Sequence, residues 1–167
     1  MLGKSIGNKI SCIVLIYYDF EVIQKSINCL LKYSDKLDLT IVENKSEFTE
    51  ISIKPFILDL VNQMKVSQYF LFDRNISNNA IEVACDSGLV KFENYCYVLL
   101  TDGDLEEITK SWLEEELNIL NSNAAIFACG ISLNKENLPT KTFPGAVDWI
   151  PPDIKEDTVC GLVNVFT

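Results

Sequence analysis

The stretch Ile10-Ser-Cys-Ile-Val-Leu-Ile-Tyr-Tyr18, with Phe20, Ile23, Ile27, Leu30 and Leu31 after it, decides the fold class. The first part is nearly continuous in β-branched and aromatic residues, as a strand buried on both faces requires. The apolar residues that follow recur at helical spacing. The same alternation continues down the chain. Leu39–Val42 reads as a second strand, and Pro55–Lys65 as a second helix with Pro55 suited to its first turn. Tyr69–Phe72 is a third strand, and Asn78–Val90 a third helix with Ala80, Ile81, Val83 and Ala84 on its inner side. Tyr95–Leu100 is a fourth strand. Ser111 and Glu114 have capping-box spacing for a helix that buries Leu113, Leu117 and Leu120, and Ala124–Cys129 is a fifth strand. This order predicts an α/β fold, a mostly parallel sheet with helices on both faces and right-handed crossovers.

Such sheets bind ligands at the carboxyl ends of their strands, where the strand order reverses. Those ends are Tyr17-Tyr18-Asp19, Glu43-Asn44, Asp73-Arg74-Asn75 and Asp102-Gly103-Asp104. After Gly130 the character changes. Pro139, Pro144, Pro151 and Pro152, with Gly145 and Trp149, make residues 134–153 read as a long loop, and Val159–Phe166 is a last apolar stretch.

Composition narrows the function. The 167 residues are 48% hydrophobic and 23% charged, enough for one substantial core. Lys and Arg number 14 against 24 Asp and Glu, and the net charge of −10 opposes binding to nucleic acid or to an anionic membrane. There is no histidine, which removes His-based triads, His general bases and every His-containing metal site. The six cysteines include no C-x-x-C pair, and Cys12, Cys85, Cys96 and Cys129 lie in apolar stretches, as buried thiols of a reducing compartment do. The run Cys12–Tyr18 is too short to cross a bilayer and no small-residue cleavage site follows it. The expectation is a soluble cytoplasmic protein with no evident membrane association.

No glycine-rich phosphate cradle is present, neither G-x-G-x-x-G nor a P-loop. A diphosphate would therefore need a cation. Asp102-Gly103-Asp104 suits that need, because residues i and i+2 of an extended segment face the same way and Gly103 permits close approach. Hard carboxylate oxygens suit Mg²⁺ or Mn²⁺, which keep positions open for phosphate. The remaining acids of this region, Glu106, Glu107 and Glu114–Glu116, read as the first turn and outer face of a helix.

Four segments resemble the nucleotide-binding half of GT-A glycosyltransferases of the large family 2 type. Ile10–Tyr17 resembles the opening strand. Leu39-Thr-Ile-Val-Glu-Asn-Lys-Ser46 is similar to the second strand with its acidic turn, and the segment from Asp73 to Gly88 to the Asn-x-Gly turn and its helix. Leu99-Leu-Thr-Asp-Gly-Asp104 resembles the Asp-x-Asp motif at its expected distance. Two departures stand out: Glu43 replaces the commoner Asp, and Asn75-Ile76-Ser77 lacks the glycine.

The resemblance implies sugar transfer from a nucleotide diphosphate sugar, a UDP-sugar favoured, to a glycan, lipid or protein hydroxyl, with inversion. It implies Mn²⁺ or Mg²⁺ on Asp104 and Asp102. It places Glu43 on the nucleobase, Tyr17 or Tyr18 beside it, Asp102 near the ribose, Arg74 at a phosphate and Asn75 in the nucleotide site. Residues 1–133 would be the donor-binding region, and residues 134–167 the Pro-rich loop and the start of an acceptor side. Family members continue past this point into an acceptor-binding half, which normally supplies the catalytic base. Here the late acidic pair is Glu156-Asp157, and Asp157 is the candidate base. Trp149 is a candidate for lining the acceptor side.

Two other readings are compatible with the pattern. One is a non-catalytic or truncated donor-binding domain of the same fold, which a nucleotide-sugar hydrolysis assay separates from an enzyme. The other is a flavodoxin-like or receiver-type signalling domain. A receiver would want its key Asp at the end of the third strand and a late Lys ending a strand, whereas Asp102 ends the fourth and no Lys ends Ala124–Cys129.

Overall fold

Every residue of the first strand, β1 (Ile10–Ile16), is buried, and the rest of the sheet is assembled around it. The computed structural model describes residues 9–91, 94–105, 111–132 and 158–164. The chain order is β1, α1 (Phe20–Leu31), β2 (Leu37–Glu43), a π-helical turn (Thr49–Ile53), α2 (Lys54–Asn62), β3 (Gln68–Leu71), α3 (Asn79–Asp86), β4 (Tyr97–Asp102), α4 (Trp112–Ser122), β5 (Ala128–Ser132) and β6 (Thr158–Asn164).

The sheet order is β3-β2-β1-β4-β6-β5. The first four strands in this row run parallel. β6 is antiparallel to both β4 and β5. The α/β expectation of a mostly parallel sheet with helices on both faces is therefore met. The fifth strand is the exception, because it does not pair with β4: residues 158–164 return as β6 and lie between them. β5 also starts later than its apolar residues indicate. Asn123 starts a turn first, its Oδ1 accepting from Ala125 N–H at 2.9 Å and its carbonyl from Ile126 N–H at 3.0 Å.

Strand alternation sorts the β1 side chains between two cores. Cys12, Val14 and Ile16 face Ile23, Ile27 and Leu30 of α1, Ile57 and Leu60 of α2, and Leu113 and Leu120 of α4. Ile13 and Leu15 face Ala80 and Ala84 of α3, with Val42 and Val98. Each large side chain withdrawn from water in this way contributes roughly 1.5–3 kcal/mol. The α3 side is thinner. Val83, expected on the inner side, is 42% exposed, because the two alanines already occupy the helix stripe nearest the sheet.

Asp19 caps α1, its carboxylate accepting from the N–H groups of Glu21 and Val22. Pro55 stands in the first turn of α2, as its fixed φ favours. The capping box on α4 does not form. Ser111 makes no side-chain bond to the helix backbone; its hydroxyl donates to Glu115, and Glu114 pairs with Lys36 instead. Among the thiols, Cys12 and Cys29 are buried, Cys85 and Cys129 half-buried, and Cys96 is exposed just ahead of β4. The Pro-rich residues 134–153, Trp149, Glu106, Glu107 and Asp157 lie outside the described residues.

Glu116 does not lie on the outer face of α4. One turn after Trp112, it falls in the same buried arc and is 5% exposed. Neither carboxylate oxygen has a hydrogen-bond partner among the described residues. Burial pushes its pKa up to about 7. The folded state thus holds this proton more tightly than the unfolded chain. The resulting stability is fully present below about pH 4.5 and is lost as pH rises toward 7. Denaturant titration of Glu116→Gln against the parent checks this: the variant should gain about 1–3 kcal/mol at pH 8 and show little gain at pH 4.

Candidate functional site

Strand order reverses beside β1, between β2 on one side and β4 on the other, and a cleft of about 290 Å³ opens at the carboxyl ends of these strands. Its floor is Leu15, Ile16 and Tyr17 at the end of β1. Asp19, Val22 and Ile23 form the α1 wall, Asn44, Asn75, Ser77 and Asn78 a second wall, and Asp102, Gly103 and Asp104 a third. The position is the one that the α/β topology dictates.

Gly103 sets how closely β4 can turn over β1. A Cβ there would meet Ile16 Cγ2 at 2.7 Å and the Leu15 carbonyl oxygen at 3.2 Å. Ile16 is 1% exposed in the core and cannot swing away. The small residue between the two aspartates is thus a packing requirement that also shapes the cleft. Gly103→Ala should lower stability by about 1–3 kcal/mol by overpacking, measured as a reduced denaturation midpoint with unchanged slope.

Among the described residues, the acids of the lining meet no basic side chain. The lining contains Asp19, Asp102 and Asp104, and no Lys or Arg among the described residues. Burial, and then the charge of Asp104, raise the pKa of Asp102. Asp19 is engaged by the α1 backbone, and among the described residues Asp102 and Asp104 are the lining carboxylates without such a bond. The described residues contain no cluster of three or more potential ligands. A closed all-protein metal cage is therefore not formed by them. Two carboxylates nonetheless match what a Mg²⁺- or Mn²⁺-type ion takes from protein when phosphates and water complete its shell.

Of the residues singled out from the sequence, Tyr17, Asn75, Asp102 and Asp104 come together in the cleft. Tyr18, Arg74 and Glu43 are not among its lining. Tyr18 has a left-handed backbone (φ 74°) and packs edge-on against Phe48 with centroids 5.1 Å apart. Arg74 is exposed. Glu43 is fully buried; it accepts from Thr49 Oγ1 at 2.6 Å and from the Tyr69 hydroxyl. Burial raises its pKa and these two bonds partly offset the rise. Both Glu43 oxygens are thus committed to holding the π-helical turn and β3 against β2.

Sequence reasoning did not select Asp19, Asn44, Ser77 or Asn78 as site residues. Asp19 carried a usable signal, since it directly follows the first predicted strand. Ser77 is left-handed, at φ 58°. That conformation is one a glycine adopts without cost, and Ser77 stands where the resembling motif has its glycine.

No family model matches the chain. Three uncharacterised proteins of Acanthamoeba polyphaga mimivirus are each 41% identical to it, over 161, 144 and 145 residues. These matches take in 94%, 84% and 85% of this chain but 22%, 29% and 16% of the relatives. The chain thus spans less than a third of the length of these relatives. In structure it is similar to a mannosyltransferase of Pyrobaculum calidifontis solved with GDP-Man and Mn²⁺, at TM-score 0.62 and 12% identity over 93% of this chain and 44% of that one. It is also similar to S. aureus TarS 1-349, at TM-score 0.54 and 15% identity over 75% and 36%. A third likeness is to 4-diphosphocytidyl-2C-methyl-D-erythritol synthase of Anaerococcus prevotii, at TM-score 0.51 and 10% identity over 94% and 72%. These likenesses show the fold: an α/β fold that matches GT-A-like neighbours. No helix among the described residues is long and apolar enough to cross a membrane.

Proposed function

We propose that the cleft is the donor site of a metal-dependent glycosyltransferase that uses a nucleotide diphosphate sugar. The observation that carries the reading is the pair Asp102 and Asp104, set at the strand-order reversal in a cleft without a described basic residue. A diphosphate approaching these aspartates would be repelled unless a cation came with it. The likeness to a mannosyltransferase solved with GDP-Man and Mn²⁺ supports the same chemistry.

In this reading Asp104 and Asp102 hold Mn²⁺ or Mg²⁺ through their carboxylate oxygens. Held there, such an ion would supply charge neutralisation for the leaving diphosphate. Asp102 also approaches the ribose, and Tyr17 offers its ring to the nucleobase. Asn75 presents a carboxamide to the nucleotide. Arg74 is the candidate phosphate contact, and Tyr18 the alternative to Tyr17 beside the nucleobase. Glu43 acts from behind, by fixing the end of β2.

Transfer forms a bond from the acceptor oxygen to the anomeric carbon as the bond to the diphosphate breaks. Attack from the opposite face inverts the centre. The acceptor proton goes to a carboxylate, and Asp157 is our candidate. The acceptor is a glycan, lipid or protein hydroxyl, and a UDP-sugar is the favoured donor.

The test is the thermal unfolding midpoint with UDP, GDP, CDP or ADP, each with Mn²⁺ and with chelator. A ligand at 100 times its Kd that binds only the folded state adds roughly 2.7 kcal/mol. The expected result is a rise with one nucleotide that chelator abolishes and Asp104→Asn removes. No rise with any nucleotide, or a rise indifferent to both chelator and Asp104→Asn, would contradict the assignment.

A further inference from the structure

Asn44 follows β2 and is 2% exposed, and both polar atoms of its side chain bond a segment more than thirty residues away. Its Oδ1 accepts from Ile76 N–H at 3.0 Å, and its Nδ2 donates to the Ser77 carbonyl at 3.0 Å. Its own N–H donates to the Ile16 carbonyl at 3.0 Å. One residue therefore ties the turn after β3 to the ends of β1 and β2. That turn is held against its preference, because Ser77 sits in the left-handed region that non-glycine residues avoid. Ser77 N–H donates to Asn75 Oδ1 at 2.8 Å. This bond occupies the Asn75 oxygen and leaves its Nδ2 as a donor on the cleft wall.

We propose that Asn44 is a positioning residue for the donor: by clamping Ile76 and Ser77 it fixes Asn75 and Asn78 on the cleft wall, where their carboxamides hydrogen-bond a nucleoside diphosphate. Without the clamp, Ser77 relaxes out of the left-handed region and the wall loses its alignment. The inference rests on the donor-site reading for its ligand, but the clamp itself can be observed without one.

Asn44→Asp separates positioning from mere packing. A protonated Asp side chain reproduces the amide: its O–H donates to the Ser77 carbonyl while its carbonyl accepts from Ile76. The ionised form faces that carbonyl with a second acceptor and repels it. Burial, with the Ser77 carbonyl facing it, disfavours the charge and keeps the introduced acid protonated at pH 5. UDP, GDP, CDP and ADP are each titrated with Mn²⁺ into the parent and the variant at pH 5 and pH 8. Amide-exchange protection at Ile76 is measured without nucleotide in the parent and in Asn44→Ala.

For whichever nucleotide binds the parent, the variant should match it within about twofold at pH 5 and bind about tenfold more weakly at pH 8. Protection at Ile76 should fall at least about tenfold in Asn44→Ala, while β1 amides keep theirs. Equal loss at both pH values, or none at pH 8, would overturn the positioning role. If no nucleotide binds the parent, the donor reading fails on its own account. Unchanged Ile76 protection in Asn44→Ala would then overturn the clamp independently.

Discussion

The two-sided burial of β1 is the constraint from which the rest of the molecule follows. A strand with no polar face has to be covered by helices above and below and flanked by strands at both edges. β2 and β4 flank it in parallel, and the chain can reach both only by reversing direction across the sheet. That reversal leaves the carboxyl end of β1 uncovered, and the cleft is the result. The same strand end supplies the Ile16 side chain against which Gly103 closes and the Ile16 carbonyl to which Asn44 bonds. Core and site are therefore one construction: the packing that stabilises β1 also sets the distance between the walls.

Charge gives the cleft its chemical character. Three aspartates of an acidic chain gather at one opening, and among the described residues Asp19 alone of them accepts from backbone donors. In the proposed donor site, the two that remain would take a small hard cation, and through it an anionic ligand. The buried acids elsewhere serve differently. Glu43 has both oxygens occupied by hydroxyl donors and acts as a rivet between β2, β3 and the π-helical turn. Glu116 has no described partner and holds its proton because burial disfavours the charge.

The strands and helices up to α4 were legible because hydrophobic periodicity reports burial directly, and β1 is the clearest case. The pairing of β5 was not. An apolar run gives no direction, and antiparallel insertion of β6 depends on a segment thirty residues later in the chain. The fate of Glu116 was hidden by a composition rule, since a run of three glutamates reads as solvated although one of them must face inward on a helix buried along Trp112 and Leu120. In the site, Asp102 and Asp104 were legible from spacing and position. Asn44 and Ser77 were not, because their roles rest on contacts between remote segments. The missing glycine at position 77 was the visible trace of that strained turn.

The central claim is that Asp102 and Asp104 form a cation site at the end of β4. Paramagnetic broadening of backbone amide resonances by substoichiometric Mn²⁺ tests it most directly. The account predicts that the amides of Asp102, Gly103, Asp104 and Tyr17 broaden first, and that the α4 acids Glu114 and Glu115 are affected later. First broadening along α4, with the cleft amides unchanged, would contradict it.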